Sequence, residues 1–115
     1  MKVTRYKEAK PYESPKHFDM QALRLQGFEE AGPDFAWTGM SHFNPGGGCE
    51  MAAGPLEKIY VVLEGEITIE RGNGKTQVLS RYDSCFIPPG ESRAIRNDTN
   101  VVASMLVIMP YPENK

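Results

Sequence analysis

Apolar and polar residues alternate along most of this chain, and the alternation predicts strands rather than helices. No stretch repeats apolar residues at helical spacing over three turns, and 9 prolines and 11 glycines interrupt the sequence. Strands are predicted at 17–25, 35–43, 58–63, 66–71, 77–79, 84–87, 92–96 and 101–109. Residues 2–6 are predicted to pair at a sheet edge, 10–15 to form a connector and 26–34 a loop.

Turn residues separate these strands. Gly72-Asn73-Gly74 predicts a hairpin turn, because these residue types tolerate positive φ. Asn44-Pro45 and the glycine triplet 46–48 predict the end of the strand 35–43, followed by a turn. The segment 101–109 is apolar on both faces, which predicts burial against another sheet or subunit.

Composition indicates one small domain, residues 1–115. The chain has 115 residues and a mass of 12.8 kDa, enough for one modest core. A net charge of −2 does not favour a nucleic-acid partner. No apolar run reaches the roughly 20 residues of a membrane helix, and the polar start does not resemble a secretory signal. We therefore expect a cytoplasmic protein with neither nucleic-acid nor membrane partners.

Gly46 to Gly65 resembles the first motif of the cupin superfamily. That motif is Gly, five residues, His-x-His, three or four residues to Glu, then Gly after six more. Gly46 and Gly65 match its two glycines. The positions of the three metal ligands hold other residues, namely Ala52, Gly54 and Lys58.

Residues 82–97 resemble the second cupin motif. Its pattern is Gly, five residues, Pro-x-Gly, two residues, His, three residues, Asn. Tyr82 replaces the opening glycine and Arg93 replaces the histidine, and the matching residues are Pro88, Gly90 and Asn97. The resemblance implies a single small RmlC-like cupin, a double-stranded β-helix or jelly-roll barrel, with an N-terminal arm at about 1–16. It also implies a homodimer, because cupins commonly pair through an N-terminal strand and the outer sheet.

The residues at the ligand positions predict no metal and no other cofactor. First-row metal sites need three or four protein ligands, usually His, Cys or carboxylate. Ala52 and Gly54 have no ligating side chain, and Lys58 and Arg93 are cations. The two cysteines, Cys49 and Cys85, are expected to be packing residues.

Strand parity predicts which side chains point into the barrel. Residues that share the parity of the ligand positions should point inward; they are Glu50, Ala52, Gly54, Lys58, Tyr60, Val62, Arg93 and Ile95. One interpretation is a pocket for a small organic anion, with Arg93 as clamp and Lys58 and Tyr60 beside it. The other is an internal ion pair of Arg93 with Glu50 or Glu57 that fills the barrel. Both stay open.

Two residues are candidate acids or bases, His42 and Glu50. His42 would be catalytic if the even-numbered face of 35–43 points inward, and a surface or interface residue if it does not. Three functions follow: a module that binds a small anion, a metal-independent isomerase or lyase acting beside a carbonyl, and an oligomeric accessory protein with a filled barrel. The sequence leaves open whether the protein is an enzyme.

Overall fold

The fold is described by a computed structural model, which covers residues 1–28 and 32–113. A short 3₁₀ helix, Tyr6–Glu8, precedes the first strand. The strands are β1 (Lys10–Tyr12), β2 (His17–Gln26), β3 (Trp37–Ala52), β4 (Lys58–Glu64), β5 (Ile67–Arg71), β6 (Thr76–Leu79), β7 (Ser84–Ile87), β8 (Arg93–Arg96) and β9 (Ala103–Met109). The all-β prediction is confirmed. Part of the predicted loop 26–34, at 29–31, lies outside the described residues.

All pairings are antiparallel, and together they form a nearly closed jelly-roll barrel. The strands follow the order β6-β5-β8-β3-β9-β4-β7, and β2 pairs with both β1 and β3. The predicted hairpin at Gly72-Asn73-Gly74 joins β5 to β6, and Gly74 has a φ of +86°. Among the described residues, no helix is long and apolar enough to cross a membrane.

The long strand β3 joins the two halves of the barrel. Its first part, Trp37 to Phe43, pairs with β9, and its last part pairs with β8. The prediction that this strand ends at Asn44-Pro45 is wrong, because the chain continues through the glycine triplet to Ala52. Gly48 lies against the backbone of Ile95, where a side chain would clash. Gly47 and Gly48 therefore permit close strand packing, whereas Gly46 has open space at its Cβ position and a φ of +84°.

Alternation along the strands defines the inner face. The core contains buried side chains from β3, β4, β5, β8 and β9, among them Phe43, Val62, Ile67, Ile95 and Met105. Lys58, Tyr60 and Arg93 share this inner face and are buried, as predicted from parity.

The N-terminal arm differs from its prediction. Residues 2–6 form no strand; a 3₁₀ helix begins at Tyr6 instead. The predicted connector 10–15 contains β1, whose Lys10 to Tyr12 pair with the far end of β2. Pairing with an existing strand overrode the turn preference of Pro11, which is tolerated because β1 is an edge strand.

Candidate functional site

A cavity of about 450 Å³ lies inside the barrel, in the size range of small-molecule sites. Strands β2, β3, β4 and β8 contribute to its wall, together with the segment before β2. Among the described residues it is lined by four cations (Lys16, Arg24, Lys58 and Arg93), one carboxylate (Glu13) and the imidazole of His17. The cavity is therefore cationic. Its presence disagrees with the prediction of a filled barrel.

Arg93 is a buried guanidinium in the cavity wall, and only 8% of its surface is exposed. Its Nε donates to the Tyr60 hydroxyl at 2.9 Å, and Nη1 donates to the Ala52 carbonyl at 3.3 Å. Within residues 1–28 and 32–113 it pairs with no carboxylate, and the four ion pairs of that region involve other residues. The predicted internal pair with Glu50 or Glu57 is wrong, because both glutamates are exposed.

Tyr60 is hydrogen-bonded to Arg93, and its phenol stays neutral. Burial raises the pKa of Tyr60 to about 12, although Arg93 opposes the shift. The phenol oxygen accepts from Arg93. The sequence predicts Tyr60 as a ligand-binding residue; the structure places it against Arg93 rather than among the residues that line the cavity.

Lys58 supplies a second buried cation in the wall, with 7% of its surface exposed. Burial lowers the pKa of Lys58, and the nearby Arg93 lowers it further. A bound anion would offset both charges, so the cavity is electrostatically suited to a negative group.

Glu50 lies outside the cavity, contrary to the predicted inward orientation. The side chain is exposed, whereas its neighbour Cys49 is buried in the core. The register of β3 against β8 shifts between Cys49 and Ala52, where a β-bulge adds a residue to one strand. Strict alternation counted back from Ala52 is therefore wrong by one position at Glu50.

His42 lies on the outer face of β3, because the odd-numbered residues Trp37 to Phe43 face inward. Its Nδ1 bonds to the Ser104 hydroxyl at 2.7 Å, and its Nε2 bonds to the Tyr6 hydroxyl. Both ring nitrogens have partners, and the bond to Tyr6 holds the N-terminal arm against the sheet. His42 therefore does not point into the barrel, and it is not among the residues that line this cavity.

The imidazole in the cavity belongs to His17 instead. His17 begins β2 and pairs across with Cys49, whose side chain is buried in the core. The sequence gives His17 less weight than His42, because it lies near the N-terminal loop. The signal that points to it is the pairing of β2 with β3, which parity within one strand does not reveal.

Protonation of His17 is predicted to destabilise the fold at acidic pH. Burial lowers the pKa of His17, Arg93 and Lys58 lower it further, and the Pro15 carbonyl opposes them. The unfolded chain then binds more protons, so stability falls as pH drops from about 6.5 through the lowered folded value. Burial also lowers the pKa of His42. Urea midpoints from pH 8 to 5 should depend less on pH in His17→Gln than in the wild type; an unchanged slope would contradict this assignment.

An aromatic cluster forms one side of the cavity. The Arg24 guanidinium lies 3.8 Å from the ring centroid of Tyr12, 4.3 Å from that of Phe28 and 4.6 Å from that of Trp37. Arg24 is buried, so its charge is stabilised by the ring faces. Phe28 and Trp37 also pack edge to face, at 5.7 Å between centroids. This side of the cavity therefore combines aromatic rings with one buried guanidinium.

The residues of the cavity do not fit the metal that cupins commonly hold. No group of three or more His, Cys, Asp or Glu residues that could hold a metal ion occurs in the described part of the chain. Ala52 and Gly54 line the cavity without ligating side chains, and Lys58 and Arg93 bring positive charge.

Comparison with known proteins agrees with the fold. The family model described as Cupin_2, Cupin domain, matches residues 39–109. A protein named Beta-D-galactosidase Rv1717, from Mycobacterium tuberculosis (strain ATCC 25618 / H37Rv), is 38% identical over 112 residues, which cover 97% of this chain and 96% of that protein.

Solved structures share the barrel. The polyketide cyclase RemF from Streptomyces resistomycificus superposes with a TM-score of 0.84 at 21% identity, over 96% of this chain and 79% of that one. An RmlC-like cupin from Shewanella frigidimarina NCIMB 400 gives 0.77 at 18% identity, over 97% and 93%. At such identities the likeness concerns the fold alone. With the family match, the two motifs and the jelly-roll barrel together, this chain belongs to the cupin family.

Proposed function

We propose that this cupin binds a small organic anion in its barrel cavity, with Arg93 as the principal contact and Lys58 as a second cation. The observation that carries the proposal is a buried guanidinium in a ligand-sized cavity that forms no ion pair with a described carboxylate. Buried charges are costly unless they are paired, so this arrangement favours an external anion as the partner. The planar fork of Arg93 suits a carboxylate or phosphate.

The ligand class is a sugar acid. A cavity of about 450 Å³ is large enough for a pyranose ring. The relative at 38% identity is named as a beta-D-galactosidase, so we choose galactose-type sugars as the candidates. Hydrolysis by the usual glycosidase route needs two carboxylates that flank the bond. Among the described lining residues Glu13 is the single carboxylate. We therefore propose binding of an acidic sugar rather than carboxylate-pair hydrolysis of a neutral galactoside.

Paired sugars test the proposal. D-Galacturonate differs from D-galactose by a carboxylate at C6, so it isolates the anionic contact. We expect D-galacturonate to raise the melting temperature and D-galactose to leave it unchanged, because a ligand that binds the folded state stabilises it by mass action. Equal shifts for the two sugars, or none for either, would contradict the proposal.

Metal independence is part of the same proposal and is measured separately. Protein purified without chelator should contain less than about a tenth of an equivalent of transition metal, and EDTA should not change the D-galacturonate shift. Stoichiometric metal that is needed for binding would overturn it. The homodimer, the cytoplasmic location and the lack of nucleic-acid and membrane partners stay predictions.

A further inference from the structure

His17 is placed to act on a molecule bound in the cavity. Paired residues on adjacent strands point to the same side of a sheet, and the partner of His17 is the inward-facing Cys49. The imidazole therefore shares the cavity wall with Arg93 and Lys58. The ring also stacks on Phe43, with 6.3 Å between centroids and an interplanar angle of 24°.

The hydrogen bond at Nδ1 fixes the protonation pattern of this ring. His17 Nδ1 lies 2.8 Å from the Pro15 carbonyl oxygen, which can only accept. Nδ1 must therefore carry the hydrogen, and in the neutral ring Nε2 has the free lone pair. Within the described ranges 1–28 and 32–113, no hydrogen-bond partner of Nε2 is present. Its available lone pair is what a general base requires.

The groups around His17 favour its neutral form, which is the form that can accept a proton. The charged and titratable groups around it are Lys16 and Glu13 on the preceding segment, Cys49 on β3, Lys58 on β4 and Arg93 on β8. Burial and the two cations Arg93 and Lys58 lower the pKa of His17. The same cations would stabilise negative charge that develops on a substrate when the base removes a proton.

We propose that His17 is the proton-transferring residue of the cavity and acts on a carbon–hydrogen bond beside a carbonyl of a sugar acid held by Arg93. This inference rests on the proposed function. It assigns the cavity to aldose–ketose isomerisation of sugar acids, a reaction that needs no oxidant, reductant or co-reactant.

The proton and the electron pairs of this step all come from the substrate and His17. In the acyclic aldehyde form of D-galacturonate, Nε2 takes the proton from C2, and the electrons of that bond form the C1–C2 double bond. The carbonyl pair moves onto O1, where the cationic wall stabilises it. Return of the proton from Nε2 to C2 restores the aldehyde. Return to C1, with a proton passing from O2 to O1, gives the ketose acid.

Deuterium exchange tests this step directly. D-Galacturonate is incubated with the protein in D₂O, and the C2 proton signal is followed by NMR while binding is measured by calorimetry. We expect exchange at C2 with the wild type and a decrease of about 100-fold or more in His17→Gln, with binding retained. His42→Gln is the matched control, because His42 lies outside the cavity with both ring nitrogens bonded, and it should exchange at the wild-type rate.

The outcomes separate the two proposals. Binding without exchange in the wild type, or exchange that persists in His17→Gln, overturns the role of His17 and leaves anion binding intact. Absence of D-galacturonate binding overturns the proposed function and this inference with it. The ¹⁵N spectrum of the imidazole gives an independent check, since hydrogen on Nε2 rather than Nδ1 of neutral His17 would also contradict the assignment.

Discussion

Replacement of Arg93 by alanine is expected to weaken D-galacturonate binding by about 30-fold or more, because loss of one partner of a desolvated charged hydrogen bond costs about 2 kcal/mol or more. The fold should remain. Removal of Arg93 leaves two neutral groups, the Tyr60 hydroxyl and the Ala52 carbonyl, without one hydrogen bond each. We expect a stability loss of about 1–2 kcal/mol. Calorimetry and urea unfolding measure the two effects.

Arg96 provides the matched control on the same strand. It is half-buried and pairs with Glu70 and Asp98. Arg96→Ala removes the same charge from the protein but not from the cavity. It should leave affinity within about twofold, because Arg96 does not line the cavity and its ion pairs are partly solvated. An Arg93→Ala protein that does not fold, or that binds as tightly as the wild type, would contradict the role of Arg93 as clamp.

Replacement of Gly48 by alanine is expected to destabilise the protein by about 3 kcal/mol or more, because the added methyl group would overlap the backbone carbonyl of Ile95. Side chains can change rotamer, but this contact is with backbone, so β3 and β8 would have to separate where they pair. Thermal unfolding should show a decrease of about 10 °C or more, or failure to fold.

Gly54→Ala is the control for this change. The nearest atom to an added Cβ at Gly54 is Lys58 Nζ at 3.7 Å, an ordinary contact at the end of a flexible side chain. The variant should unfold within a few degrees of the wild type, a change of about 0.5 kcal/mol or less. Equal stability of the Gly48 and Gly54 variants would contradict the claim that close packing at Gly48 stabilises the pairing of β3 with β8.

Much of the fold was predictable, because the sequence features that indicate strands and turns occur along the whole chain. Alternation and turn residues define most of the strands, and the two motifs place Pro88, Gly90 and Asn97 at their turns and strand end. The side-chain nitrogen of Asn97 donates to two carbonyls, that of Phe43 on β3 and that of Val101 in the following connection. An amide side chain is needed to make both bonds. At one of the chain's two departures from the second motif the backbone conformation is kept, since Tyr82 adopts a φ of +71° where the family has glycine.

The site was predictable only where strands are regular. Parity placed Lys58 and Arg93 correctly because β4 and β8 are regular over those positions. It was wrong at Glu50 because the shift between Cys49 and Ala52 depends on the partner strand, which local sequence does not specify. Parity does not reveal His17, because that residue reaches the cavity through the pairing of β2 with β3, a contact between segments distant in sequence.

A crystal structure of the protein grown with D-galacturonate tests the central claim most directly. The predicted result is a sugar inside the barrel, with its carboxylate at about 2.7–3.0 Å from the Arg93 guanidinium. Arg93 bonded to a protein carboxylate with the sugar absent from the cavity, or a metal ion between the sugar and the barrel wall, would contradict the account.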